Sequence, residues 1–289
     1  MAVGRMADGR SDSPAGKLFF LLTSISAIGH SAIGHRTLKT MSQIIDFTLY
    51  LADSTLLLGH RNSEWCGHGP VLEQDIAITN ISLDLIGQAR NFYQYAAELK
   101  NDGSTEDTFA YTRDAREFKN SLLVELPNSD WAKTILRQFF FSNYQHLLYT
   151  QLQHSSDQQF AAIATKALKE VAYHLRWSSE WLIRLGDGTE ESHRRMKLAL
   201  EELWAYTGEL FMPSSFEKEL AGKQVIPDIA GLKKAWLEKT ADVFNEATLA
   251  MPGDVYMHKG GKEGNHSEYL GFMLAEMQFL QRAYPNAIW

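Results

Sequence analysis

The chain has 289 residues, 45% of them hydrophobic and 11% aromatic, enough to bury one large core or two small ones. A formal net charge of -7 and a pI near 5.8 argue against general affinity for nucleic acid. The single cysteine, Cys66, excludes an internal disulfide and a cysteine-based zinc site, and it suits a reducing, cytoplasmic compartment. Beside Trp65, that cysteine reads as a buried small residue and not as a nucleophile.

Residues 1–40 differ from the rest. Arg5, Arg10 and Lys17 precede the apolar run Leu18-Phe19-Phe20-Leu21-Leu22 and then small residues to Gly29, the outline of a signal peptide. The run is too short to span a bilayer. No A-x-A cleavage site follows, and a well-patterned segment opens at Met41. The expectation is therefore a disordered or mis-called extension over residues 1–40, followed by a single helical domain over 41–289.

From Ser42 the pattern is helical. Ser42 is a cap candidate for a first helix with apolar positions Ile45, Leu49, Ala52 and Leu56, ending near Gly59. A Gly67-His68-Gly69-Pro70 turn opens a second helix through Glu98, with Pro70 suited to its first turn. Leu72, Ile76, Ile78, Ile81, Leu83, Leu85, Ile86, Phe92 and Tyr93 lie all round that helix, the pattern of a buried one. Glu73, Asn80, Asp84 and Asn91 form one polar stripe along it, and such a stripe, once buried, requires partners, water or a metal.

A shorter helix is expected around Arg113–Val124, stopped by Pro127-Asn128-Ser129-Asp130. Trp131 to Gln153 is a long helix dense in aromatics (Phe139, Phe140, Phe141, Tyr144), expected as core or subunit interface. Phe160, Ile163, Ala167, Val171, His174, Ser178 and Leu182 mark the next, which stops at Gly186-Asp187-Gly188. Glu191 to Phe211 is amphipathic, residues 213–231 read as loop, Leu232–Leu249 as helix, and 251–266 as a glycine- and lysine-bearing loop. A last helix starts at His266 or Ser267 and runs to Tyr284. The fold class is all-α, an antiparallel helical bundle with additional C-terminal helices.

Bundles of this size build carboxylate metal sites from one Glu on each of two helices and Glu-x-x-His on each of the others. Both such motifs are broken here. Glu170 and His174 are four residues apart, and Asp84 has no histidine within a turn. Asp84, Glu170 and His174 are thus candidates for a degenerate site. The alternatives are an ion pair of Glu170 with Lys166 or Arg137, Asp84 beside Arg90 or Lys169, and His174 as a hydrogen-bonded core histidine. His146 and His154 read as ordinary surface or core residues, and Gly260-Gly261-Lys262-Glu263-Gly264 as a weak phosphate-binding candidate without P-loop context. No Ser-His-Asp or Cys-His arrangement stands out.

From Met41 to Trp289 the chain resembles the C subunits of bacterial ring 1,2-phenylacetyl-CoA epoxidases, multicomponent monooxygenases of phenylacetate degradation. Carrying the resemblance are Glu64-Trp65-Cys66-Gly67-His68, the run from Leu83 to Phe92, Lys169-Glu170 with Tyr173-His174-Leu175-Arg176, and Asn245-Glu246-Ala247-Thr248. Gly260-Gly261-Lys262 and Leu274-Ala275-Glu276-Met277-Gln278 join them. The resemblance implies a ferritin-like domain that has lost its metal centre and carries no catalytic residue or cofactor of its own. It implies as partners the catalytic di-iron A subunit of the same complex (as a heterodimer or higher oligomer), a flavin and iron–sulfur reductase drawing on NADPH, and small accessory subunits. It implies neither nucleic acid nor membrane. Two other readings stay open: a metal-binding ferritin-like oxygenase using Asp84, Glu170 and His174, and a free-standing homodimeric bundle.

Overall fold

The structure, a computed structural model, describes residues 14–285 and 287, with side chains from Leu38 onward. Positions 1–13 of the expected extension lie outside the described residues. The chain divides into two compact units, Met1–Ser42 and Gln43–Trp289. The described part of the first is helical from Pro14.

The first helix is longer than expected. α1 runs Pro14–Ser63, so Ser42 lies inside a helix instead of capping one. Gly59 does not end it. A Cβ there would meet Ile86 Cγ1 at 3.0 Å and the Ser82 carbonyl at 3.3 Å, so this glycine serves the close approach of the second helix. That helix, α2, spans Leu72–Lys100 with Val71 at its N-cap and Asn101 left-handed at its C-cap. Pro70 therefore precedes the helix instead of occupying its first turn. The Gly69 N–H reaches the Asp75 carboxylate at 3.0 Å, and with the Gly67 N–H it holds that carboxyl below its usual range.

The single helix expected over Arg113–Val124 is replaced by two short pieces, with a third just before them, because each carries its own cap. Thr105 and Thr108 form a capping box for α3 (Glu106–Tyr111), Asp114 opens a 3-10 turn over Ala115–Glu117, and Ser121 caps α4 (Leu122–Glu125). α5 (Trp131–Leu152) and α6 (Gln158–Gly186) begin where Asp130 and Asp157 accept from the first-turn N–H groups. α7 covers only Glu190–Leu203 before two 3-10 turns, as Gly208 takes Met257 against its backbone with no room for a Cβ. The expected loop over 213–231 contains α8 (Ser215–Gly222), started by a Ser214–Glu217 capping box. α9 is Leu232–Glu246. The last helix is split into α10 (Glu268–Met277) and α11 (Phe279–Ala283) at Gln278, whose side chain is drawn inward to the carbonyls of Ala110 and Arg113. No strand occurs among the described residues.

α5, not α2, is the axis of the fold. It is buried without interruption from Ala132 through Gln145 and packs on α6, α7 and α9. Phe140 meets Trp204, Trp236 and Phe244 with ring centroids 5.9, 5.4 and 6.2 Å away. Trp236 Nε1 donates to the Phe140 carbonyl at 3.0 Å, and Asn143 returns a bond to the Trp236 carbonyl at 3.1 Å. Each such aromatic contributes on the order of 1.5–3 kcal/mol by burial. The aromatics of this helix lie in the chain's own core, the first of the two roles expected of them.

α2 is half-buried. The apolar residues on its inner side, Ile78, Ile81, Leu85, Ala89 and Phe92, are in the core. Leu72, Ile76 and Leu83 are 71%, 53% and 62% exposed. They share a stripe with Gly87, where a Cβ would meet open space. The polar stripe expected inside the bundle is outside it: Glu73 and Asn80 are exposed, Asp84 and Asn91 half-buried.

Candidate functional site

A polar seam, half-buried at Asp84 and Glu170 and buried at Gln88 and His174, draws on four long helices. On α6, Glu170 and His174 lie one turn apart, and on α2 Asp84 and Gln88 do the same. The two pairs face each other. His174 Nε2 lies 3.0 Å from Asp84 Oδ2, and Gln88 Nε2 donates to Glu170 Oε2 at 2.9 Å. A carboxylate only accepts, so Nε2 of His174 carries the proton in this contact. Further along the same antiparallel seam, Trp177 Nε1 donates to Gln74 Oε1 at 3.0 Å and Tyr95 donates to Asp157 at 2.5 Å. The three candidate residues are thus brought together as rungs of a ladder between two helices.

Behind that ladder the lining is neutral. Gln145 of α5 donates to Tyr149 at 3.2 Å and reaches Gln88 Oε1 at 3.5 Å. Asn62 of α1 donates to Gln138 at 2.6 Å, and Gln138 to Ser142 at 2.8 Å. Burial drives the Tyr149 phenol well above its usual range, so it stays a neutral hydroxyl. Asn62 Oδ1, Gln145 Oε1 and His174 Nδ1 are buried with no hydrogen-bond partner among the described residues.

A two-iron centre takes four carboxylates and two imidazoles. The donor set here does not fit one. It holds two carboxylates and one imidazole, each already bonded across the α2–α6 seam, and its other members are amides and hydroxyls. Among the described residues no group of three or more His, Cys, Asp or Glu is placed to hold a metal ion.

Several expected pairings are corrected. Glu170 pairs with neither Lys166, which is exposed, nor Arg137. Arg137 is fully buried and donates to the Leu126 carbonyl at 2.5 Å and to Asn128. Burial, with the Arg61 charge nearby, pulls its guanidinium down to about 9. Asp84 takes His174 and not Arg90, which pairs with Glu106 at 3.2 Å. Cys66 is exposed, contrary to its reading as a buried residue, because it sits in the turn before α2. His174 is the buried, hydrogen-bonded histidine of one of the two readings. His146 is half-buried and His154 exposed.

The glycine loop also has a different role. The N–H groups of Gly260 and Gly261 donate to Glu209 Oε1 at 2.7 and 2.8 Å, and Lys262 Nζ lies 3.0 Å from both oxygens of buried Glu217. The donors a phosphate would use are consumed inside the protein.

The strongest buried ionic centre was not legible as a site in the sequence. Fully buried Asp53 accepts from Tyr93 at 2.6 Å, from the Lys119 N–H at 2.7 Å and from two nitrogens of Arg113. The Arg113 guanidinium also lies 4.2 Å from the centroid of the Phe118 ring and donates to the carbonyls of Phe109 and Glu117. Burial works against the Arg113 charge, but Asp53 more than offsets it and raises the guanidinium above its usual range. The available signal was a lone carboxylate inside the otherwise uncharged run from Phe47 to Leu58.

Two comparisons bear on these features. A model of the family described as "Phenylacetic acid catabolic protein" matches residues 31–289. The chain is also 49% identical over 249 residues to the C subunit of the 1,2-phenylacetyl-CoA epoxidase of Escherichia coli (strain K12), covering 86% of this chain and 100% of that protein.

Proposed function

Since the chain belongs to the phenylacetic acid catabolic protein family, we propose that it is the structural, metal-free subunit of a multicomponent di-iron monooxygenase. That enzyme epoxidises the aromatic ring of phenylacetyl-CoA in phenylacetate catabolism. The observation that carries the reading is the uncharged lining behind the Asp84–His174 and Gln88–Glu170 contacts. Amides and hydroxyls bonded to one another stand among the inward-facing positions where an iron-binding bundle places acidic ligands. In this reading Asp84, Glu170 and His174 hold two helices in register and touch no substrate. The chemistry resides elsewhere: the di-iron centre in the catalytic partner of this chain, and flavin, iron–sulfur and NADPH in a reductase.

The partner assigned to this chain is that catalytic subunit, with the reductase and small accessory subunits completing the assembly in the cytoplasm. No described helix is long and apolar enough to cross a membrane. The docking face we assign is the outer stripe of α2, Leu72, Ile76 and Leu83, with Gly87 on the same line. Three large aliphatic side chains exposed in one row leave apolar area that a second protein would cover. A glycine in mid-helix costs about 1 kcal/mol against alanine, a cost offset where another helix must come close. A scaffold that docks there can govern rate without touching substrate, because small displacements of catalytic groups are costly.

The test is Ile76→Glu with Leu83→Glu. Both side chains are exposed, so the isolated double variant keeps its circular dichroism and melting temperature. Binding to the catalytic subunit, measured by calorimetry, weakens at least about 30-fold, the equivalent of one interface hot spot. Unchanged affinity would remove α2 as the docking face. Failure to bind any catalytic subunit, with self-association in its place, would favour a free-standing homodimer.

A further inference from the structure

We propose that His266 is held as an imidazolium and works as a pH-sensitive clasp, fastening the C-terminal segment 260–283 to the segment 115–126 and loosening it on the alkaline side. The argument begins with the two ring nitrogens. Nδ1 lies 3.1 Å from Glu125 Oε2, and Nε2 lies 3.0 Å from the Phe118 carbonyl oxygen. A carbonyl only accepts, and so does an ionised carboxylate, so both nitrogens must carry a proton to satisfy both contacts. Glu125 is fully buried, and its oxygens also take the Ser267 N–H at 2.7 Å and Asn120 Nδ2 at 3.1 Å. Glu125 is thus the acceptor in the contacts with Ser267 and Asn120 as well.

The rest of the segment is seated just as closely. Gly264, with φ of 81°, lies so near the Arg116 carbonyl that a Cβ would overlap it, and Gly261 abuts the Asn120 carbonyl in the same way. Glu209 and Glu217 grip Gly260, Gly261 and Lys262, and Glu125 grips His266 and Ser267. Of the groups in this clasp, only the imidazole gains or loses its charge near neutral pH when unperturbed. The charges facing it are Glu125 of α4 and Asp53 of α1, the latter paired with Arg113. Arg61 of α1 holds the Glu125 carbonyl from behind.

Burial lowers the affinity of the His266 ring for its proton. The hydrogen bond and charge of Glu125, with the Phe118 carbonyl and Asp53, outweigh that and raise it overall. A raised folded value fixes the sign. The clasp contributes fully below the unfolded histidine value of about 6.5 and loses its contribution as pH rises through the higher folded value. Between those two values each opening releases one proton; above the folded value the neutral ring turns a lone pair on either the carboxylate or the carbonyl, and the clasp is loose.

Two measurements on the full chain test this. Nitrogen-15 spectra of histidine-labelled protein, taken from pH 5 to pH 9, are expected to show one residue, absent in His266→Gln, that keeps both ring nitrogens protonated above the ordinary histidine value of about 6.5. A His266 ring that has a bare nitrogen at or below that value would overturn the proposal. Hydrogen exchange, corrected for intrinsic rates, should show protection of 260–283 falling by up to about tenfold per pH unit between the open-state value of about 6.5 and the folded value, then levelling off, while α5 stays protected. In His266→Gln the segment should be weakly protected and its protection independent of pH. Protection of 260–283 in the native chain that is flat with pH, or that falls together with α5, would also overturn it. The spectrum of the native chain decides the matter even if the variant fails to fold.

Discussion

Replacing Asp53 by asparagine is the sharpest perturbation of the fold that the structure offers. The carboxylate is fully buried and accepts from Tyr93, the Lys119 N–H and two nitrogens of Arg113, all donors. Asparagine keeps the volume but turns one acceptor into an NH2 that faces those donors, and it leaves the buried Arg113 guanidinium uncompensated. Breaking one partner of a buried pair costs about 3–5 kcal/mol. For a domain of this size roughly 2 °C is lost per kcal/mol, so the melting temperature should fall by about 6–10 °C. Asp53→Ala with Arg113→Met removes both charges, and it should recover part of that loss as a non-additive double-mutant cycle. Thermal unfolding followed by circular dichroism measures Asp53→Asn and the four proteins of the cycle. A loss below about 1 kcal/mol in Asp53→Asn, or strict additivity in the cycle, would refute the view that this pair joins α1, α2 and the 113–119 segment.

Asp84→Ala and Glu170→Ala each remove one rung between α2 and α6. They should cost about 1–2 kcal/mol of stability or weaken assembly, with iron per assembled complex unchanged by mass spectrometry. Iron lost from an otherwise intact complex would contradict the structural role. Gly261→Ala forces a Cβ onto the Asn120 carbonyl and should destabilise by about 1–3 kcal/mol, whereas Gly87→Ala in the isolated chain should be neutral or stabilising. His60 lies in a buried position that lowers its affinity for a proton, so the unfolded chain protonates first as the solution is acidified. Stability should therefore fall as pH drops below about 6.5, and His60→Gln should flatten that slope in melting curves taken from pH 7 to pH 5.

The helical class and the long elements were legible because their signals are local: the Pro127-Asn128-Ser129-Asp130 stop before α5, and the stripe from Phe160 to Leu182 as a core face. What was not legible depended on neighbours. The apolar residues all round α2 suggested a buried helix, yet periodicity cannot distinguish a core face from one left for another protein, and Leu72, Ile76 and Leu83 are exposed. α5 also has apolar residues all round and is the true axis. The broken Glu-x-x-His spacing marked Asp84, Glu170 and His174, but the Asp84–His174 bond spans 90 residues of sequence, so no local pattern encodes it. The Gly260–Gly264 loop looked like an anion site because loops that cradle a phosphate and loops that cradle a buried carboxylate use the same amide donors. Asp53 was passed over in a hydrophobic run whose one charge was its most informative residue.

The measurement that bears most directly on the central claim is iron per chain, taken on this protein purified alone and again after co-expression with the catalytic subunit. The account predicts no stoichiometric iron on the isolated chain and about two per heterodimer, the complement of a di-iron bundle. About two irons on the isolated chain would contradict it, and would make Asp84, Glu170 and His174 ligands instead of rungs.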